Sequence, residues 1–115
     1  ILNDGPYVYG YFSRLMQRMS LPPVKRRFSA PAMFRPSTAK NKDAVLKEWM
    51  AVHQRMSAAI ESASGLDMQR IKVPSPASSL VKVNLGMAFW ILTAHDKRHM
   101  WQARNVRNNP GFPKA

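Results

Sequence analysis

The chain has 115 residues, room for one domain and not for a catalytic domain beside a separate binding domain. An apolar share of 45% excludes wholesale disorder, and the absence of cysteine excludes disulfides, cysteine-ligated zinc, iron–sulfur clusters and a thiol nucleophile of the protein's own. Eighteen Lys and Arg against six Asp and Glu leave a net charge of +12, which points to an anionic partner: nucleic acid, acidic lipid or an anionic substrate.

Residues 1–40 carry Pro6, Pro22, Pro23, Pro31 and Pro36, so they hold one regular element at most. Tyr7 to Ser20 reads as a short helix, with Pro6 in its first turn and Pro22-Pro23 closing it. Tyr7, Tyr11, Phe12 and Leu15 recur at helical spacing, while Tyr7, Tyr9 and Tyr11 would also suit a strand. Leu21 to Pro36 is expected to be an extended arm, because proline fixes φ and biases the preceding residue to extended backbone. The first residue is Ile1 and not Met, which predicts a chain trimmed at its front. Its opening Ile-Leu-Asn-Asp-Gly-Pro lacks the charged and apolar regions of a signal peptide.

The spacing predicts a long helix over 41–64, capped by Asn41, with Asp43 in the first turn and Gly65 beyond its end. Val45, Trp49, Val52, Met56, Ala59, Ile60 and Ala63 form its apolar stripe. Residues 65–83, with Pro74, Pro76 and several serines, read as a polar linker. A second long helix is expected over 84–108, from a capping Asn84 to Asn109-Pro110-Gly111, with Arg104 and Arg107 suited to its C-terminal dipole. Residues 109–115 are a tail. The fold class is all-α. The longest apolar run, Leu85 to Leu92, falls short of the about 20 residues that span a bilayer, so no membrane contact and a cytoplasmic location are expected.

Ala94-His95-Asp96-Lys97-Arg98-His99 is the sharpest local pattern. Histidines at i and i+4 share a helical face and can reach a common ion. Leu85, Ala88, Leu92, His95, His99, Ala103 and Val106 follow the helical period, which puts the pair in an apolar stripe expected to be buried. The plainer alternative is a pair bonded to water or backbone at a bundle edge, and an anion site is a weaker one. The zincin pattern does not fit, because Asp96 stands where a catalytic Glu belongs and no His, Asp or Glu follows His99. His53, on the flank of the 41–64 stripe, is a candidate accessory ligand, and Asp96 a candidate group for orienting an imidazole.

The segment LGMAFWILTAHDKRHMWQARNVRNNPGFP resembles the last helix of the DinB-like superfamily, with its Leu-Gly start, paired histidines, Trp-Gln and Pro-Gly-Phe-Pro tail. PPVKRRFSAPAMFRP resembles the arm before that family's third helix, and SGLDMQRIKVPSP the link between its third and fourth. The resemblance implies a four-helix bundle that binds a divalent metal through three histidines, of which His95 and His99 match the pair on the last helix. It implies Zn, Ni, Mn or Fe as the ion, a small-molecule substrate, and a thiol-dependent transferase or isomerase activity with a low-molecular-weight thiol as cosubstrate. The family's remaining histidine belongs to its second helix, at a place that would precede residue 1, and His53 does not match it. The chain therefore reads as a single DinB-like domain keeping the last two long helices, the arm and a short N-terminal helix. Its site is incomplete without another ligand: either the sequence is a fragment or truncated copy of the domain, or a homodimer or a second chain supplies the missing part.

A non-catalytic reading rests on Lys25, Arg26 and Arg27, followed by Arg35, Lys40 and Lys42 and interleaved with Phe28 and Phe34. Such a stretch suits phosphate contact and base stacking. A solvated arm anchored by Phe28 and Phe34 explains it more simply, so nucleic acid is not the expected partner. Trp49, Trp90, Trp101 and Gln102 are read as packing residues.

Overall fold

The computed structural model describes residues 2, 5–25, 29–35, 41–76 and 78–113. In chain order they form α1 (Tyr11–Ser20), a 3₁₀ turn (Ala32–Phe34), α2 (Lys42–Ser62), β1 (Lys72–Ser75), β2 (Ser78–Asn84) and α3 (Leu85–Arg107). The described chain is mostly helical, with one two-stranded antiparallel sheet. That sheet corrects the all-α expectation. The segment expected to be a linker contains a hairpin, with Lys72 paired to Asn84, Val73 to Val83 and Pro74 to Lys82, before the register shifts at Ser75. Proline suggested a loop, but both strands of a two-stranded ribbon are edges, where a missing N–H is tolerated. The alternation of Ile71 and Val73 with Lys72, and of Val81 and Val83 with Lys82, was the strand signal. No helix among the described residues is long and apolar enough to cross a membrane.

The chain divides into two compact units, Ile1–Arg26 with Leu66–Ala115, and Arg27–Gly65. The second holds the 3₁₀ turn and α2. Asn41 caps α2 through its side chain, which accepts the Asp43 N–H at 2.8 Å. The helix ends at Ser62, and Gly65 beyond it takes a φ of 78°, the left-handed conformation that glycine adopts without strain. Along α2, Val45, Trp49, Val52 and Ile60 are exposed.

The first unit is organised around the start of α3, where the backbone donors of Leu85, Gly86 and Met87 are accounted for. A helix leaves its first N–H groups without intrahelical partners. Here Leu85 N–H donates to the Ile71 carbonyl (2.9 Å), Gly86 N–H to Met68 (3.1 Å), and Met87 N–H to Asn84 Oδ1 (2.8 Å). The same Asn84 oxygen accepts from Tyr7 Oη at 2.7 Å, which ties the N-terminal segment to the joint of β2 and α3. Gly86 is the residue that lets Tyr7 in: a Cβ there would sit 2.5 Å from two atoms of the tyrosine ring. Asp67, itself buried, accepts from the N–H groups of Gln69 and Arg70 and fixes the turn that offers these carbonyls.

These contacts also explain why α1 starts at Tyr11 and not at Tyr7. Tyr7 is held by Asn84, the Tyr7 and Tyr9 rings meet edge to face at 4.8 Å, and the Val8 carbonyl accepts from Gln69 Nε2. Tertiary partners thus keep residues 7–9 out of the helix. α1 then packs on α3 through Ser13, whose hydroxyl lies 3.5 Å from Met87 Sδ, while Tyr11 and Phe12 face solvent.

Candidate metal centre

α3 carries the candidate site in its second half. Its first half is packed: Gly86, Met87 and Ala94 are buried, Met87 to 5% and Ala94 to 2% exposure. His95 and His99 are exposed, which corrects the expectation of a buried histidine stripe. The reason is rotational. Successive residues of a helix lie about 100° apart, so a face centred on Met87 and Ala94 turns His95 and His99 away. Leu92 and Val106, members of the same expected stripe, are exposed with them.

Within that exposed face the pair is ordered. His95 Nε2 and His99 Nε2 approach to 2.8 Å, their rings nearly perpendicular with centroids 4.3 Å apart. Gln102 Oε1 accepts from His99 Nδ1 at 3.0 Å. A proton held on Nδ1 leaves the lone pair of His99 on Nε2, facing His95, so His95 Nε2–H donates and His99 Nε2 accepts. Gln102 was read as packing; its place three residues after His99, one turn along the same face, was the signal for this role.

The donor set suits a divalent ion of intermediate softness. Neutral imidazole nitrogens are the common ligands of such ions, and an acceptor on the far ring nitrogen is what usually orients them. Two imidazoles bound to one tetrahedral zinc stand about 3.3 Å apart for bond lengths of about 2.0–2.1 Å. Small ring rotations bring the observed pair to that spacing. The pKa of His95 is lowered, first by the protein that desolvates one side of its ring, then by His99 and Arg98, with Asp96 opposing. Its neutral form is therefore favoured, and ligation through Nε2 requires that its proton move from Nε2 to Nδ1.

The other predicted residues fall elsewhere. His53 lies on α2 in the other compact unit, its Nδ1–H donating to the Trp49 carbonyl at 2.9 Å and its ring 3.9 Å from that of Trp49. Among the described residues no three His, Asp or Glu side chains gather at one point. Asp96 acts on His95 through its charge and lines a different feature, an open groove of about 650 Å³ between Leu21-Pro22 and α3. Thr93, Lys97, Met100, Trp101 and Arg104 complete that groove, and the histidines are not part of it. Of the basic stretch, Lys25 is exposed, while Arg26, Arg27, Phe28 and Lys40 lie outside the described residues. Phe34, expected to anchor the arm, is exposed.

Comparison with known proteins gives one family. The model of the DinB superfamily matches residues 8–103, across both compact units. No curated protein and no solved structure matches the chain significantly.

Proposed function

The chain belongs to the DinB superfamily, and we propose that it binds a divalent metal ion through His95 and His99 and derives from the superfamily's thiol-dependent transferases and isomerases. The observation that carries this reading is the convergence of the two Nε2 atoms at 2.8 Å, with His99 set in its ligating tautomer by Gln102. We read residues 1–115 as one DinB-like domain of four-helix-bundle descent, acting on a small molecule in the cytoplasm.

In this reading His95 and His99 hold the ion, Gln102 orients His99, and Asp96 tempers the electrostatics of His95. The bound ion, Zn, Ni, Mn or Fe, supplies Lewis acidity that lowers the pKa of a thiol or polarises an electrophile. The sequence has no cysteine, so the nucleophilic sulfur comes from a low-molecular-weight cosubstrate. Exposure of the pair leaves room for that cosubstrate on the face away from α1.

Elemental analysis after metal-replete purification tests the assignment. Metal is expected at a fixed ratio to protein and is expected to vanish in the His95→Ala/His99→Ala variant. Equal metal content in both proteins overturns the assignment.

A further inference from the structure

The positive charge of the chain is gathered in the first unit. Among its described residues ten Lys and Arg stand against two acids, Asp67 and Asp96. The Asp67 carboxylate is buried and taken up by the N–H groups of Gln69 and Arg70. The described residues of the second unit are close to balanced, with Arg35, Lys42, Lys47 and Arg55 against Asp43, Glu48 and Glu61. Charge of one sign concentrates small anions in the clefts it surrounds, and the paired histidines use none of it.

The cleft of the first unit is the open groove of about 650 Å³ between Leu21-Pro22 and α3, a size suited to a small molecule. Its α3 side is one helical face, and its polar groups stand at the ends. Half-buried Trp101 and half-exposed Met100 form the middle, with the apolar Leu21 and Pro22 opposite. Asp96 and Lys97 lie at one end, adjacent and opposite in charge. Arg104 lies at the other, about 12 Å from Asp96 along the axis at about 1.5 Å per residue. The residues three and four away from Arg104 on its helix are Met100, Trp101, Arg107 and Asn108, with no acid among them. Its guanidinium is permanently charged, and its planar fork matches a carboxylate.

We propose that this groove binds a small aromatic monocarboxylate, with its carboxylate on Arg104 and its ring against Trp101 and Met100. Each part of the lining has a use in that occupant. The ring takes the apolar floor, where an indole and a thioether both favour aromatic contact, and Arg104 takes the charge. Asp96 excludes a second anionic group from the far end. The groove turns roughly 150° away from His95 and His99 around α3, so the site stands independently of the metal assignment.

Isothermal titration of the full chain, stripped of metal, with 2-naphthylacetate tests the site. Saturable binding of one molecule per chain is expected, with 2-naphthylethanol and acetate each at least tenfold weaker. Arg104→Gln is expected to weaken 2-naphthylacetate at least tenfold and Arg104→Lys to restore part of the loss, with helicity by circular dichroism matching the parent in both. The His95→Ala/His99→Ala variant is expected to bind it as the parent does. In NMR spectra the indole N–H of Trp101, assigned with Trp101→Phe, is expected to shift on binding while that of Trp90 stays in place. Absence of saturable binding overturns the proposal, and so does equal affinity for the neutral alcohol. Unchanged affinity in Arg104→Gln, or loss of binding in the histidine variant, places the carboxylate elsewhere and overturns it as well.

Discussion

The two halves of α3 are built on opposite terms. From Leu85 to Ala94 the helix is scaffold: its first donors are satisfied by the 68–71 turn and by Asn84, Tyr7 sits over Gly86, and Met87 and Ala94 are buried. From His95 onward most side chains are exposed, with Asp96, Arg98 and Trp101 half-buried, and the histidine contacts run along the helix, from Gln102 to His99 to His95. Packing fixes the direction in which the first half enters. The second half inherits that direction and presents its two histidines without being buried by it. An accessible donor set on a rigid support suits the metal binding we propose.

The sharpest way to break this division is at Gly86. Gly86→Val drives a branched side chain into the Tyr7 ring and displaces it from Asn84. Overpacking of this kind typically costs about 1–3 kcal/mol, and we expect the upper part of that range in urea denaturation. The metal affinity of the fraction that stays folded is expected to be little changed, because the histidines lie beyond the packed half. Equal losses in both measurements would mean that the two halves are not separable.

Gln102 offers the converse. Gln102→Ala is expected to leave stability within about 0.5 kcal/mol, as exposed substitutions usually do, while lowering metal affinity about tenfold, the lower range for removing a group that orients a ligand. Gln102→Glu retains an acceptor for the Nδ1 proton and is expected to restore affinity, an outcome that a purely structural role would not produce.

Acid gives the smallest effect. His95 is held below its ordinary pKa of 6.5, chiefly by desolvation and by His99. The unfolded chain therefore takes up its proton first as the pH drops. The contribution of His95 to stability is complete above 6.5 and is lost as the pH falls through the folded value. NMR titration of the metal-free protein is expected to place the His95 midpoint below 6.5, and a midpoint at or above it would refute the electrostatic account of the pair.

Much of this was legible in the residues. Asn41 and Asn84 announced the starts of α2 and α3, and both caps are made by side-chain oxygens accepting backbone N–H groups. Histidines four apart on one helix had to be neighbours, since helical rise and twist allow nothing else. The family resemblance of the last helix agrees with a match that spans residues 8–103. The hairpin was obscured because Pro74 and Pro76 masked a short alternation of Val and Lys. Tyr7 to Tyr9 misled for another reason: their extended form depends on Asn84 and Gln69, far along the chain.

What the sequence determined by itself was local: the capped helices, the pairing of His95 with His99, and the absence of any thiol of the protein's own. Which face of α3 would be buried was beyond it. Periodicity shows that apolar residues recur around a helix, but several faces of α3 carry them, and the choice falls to whichever neighbour arrives. Here Tyr7 settles over Gly86 and Ser13 meets Met87. The face that carries Met87 and Ala94 is the buried one, and His95 and His99, rotated from it around the helix, face outward.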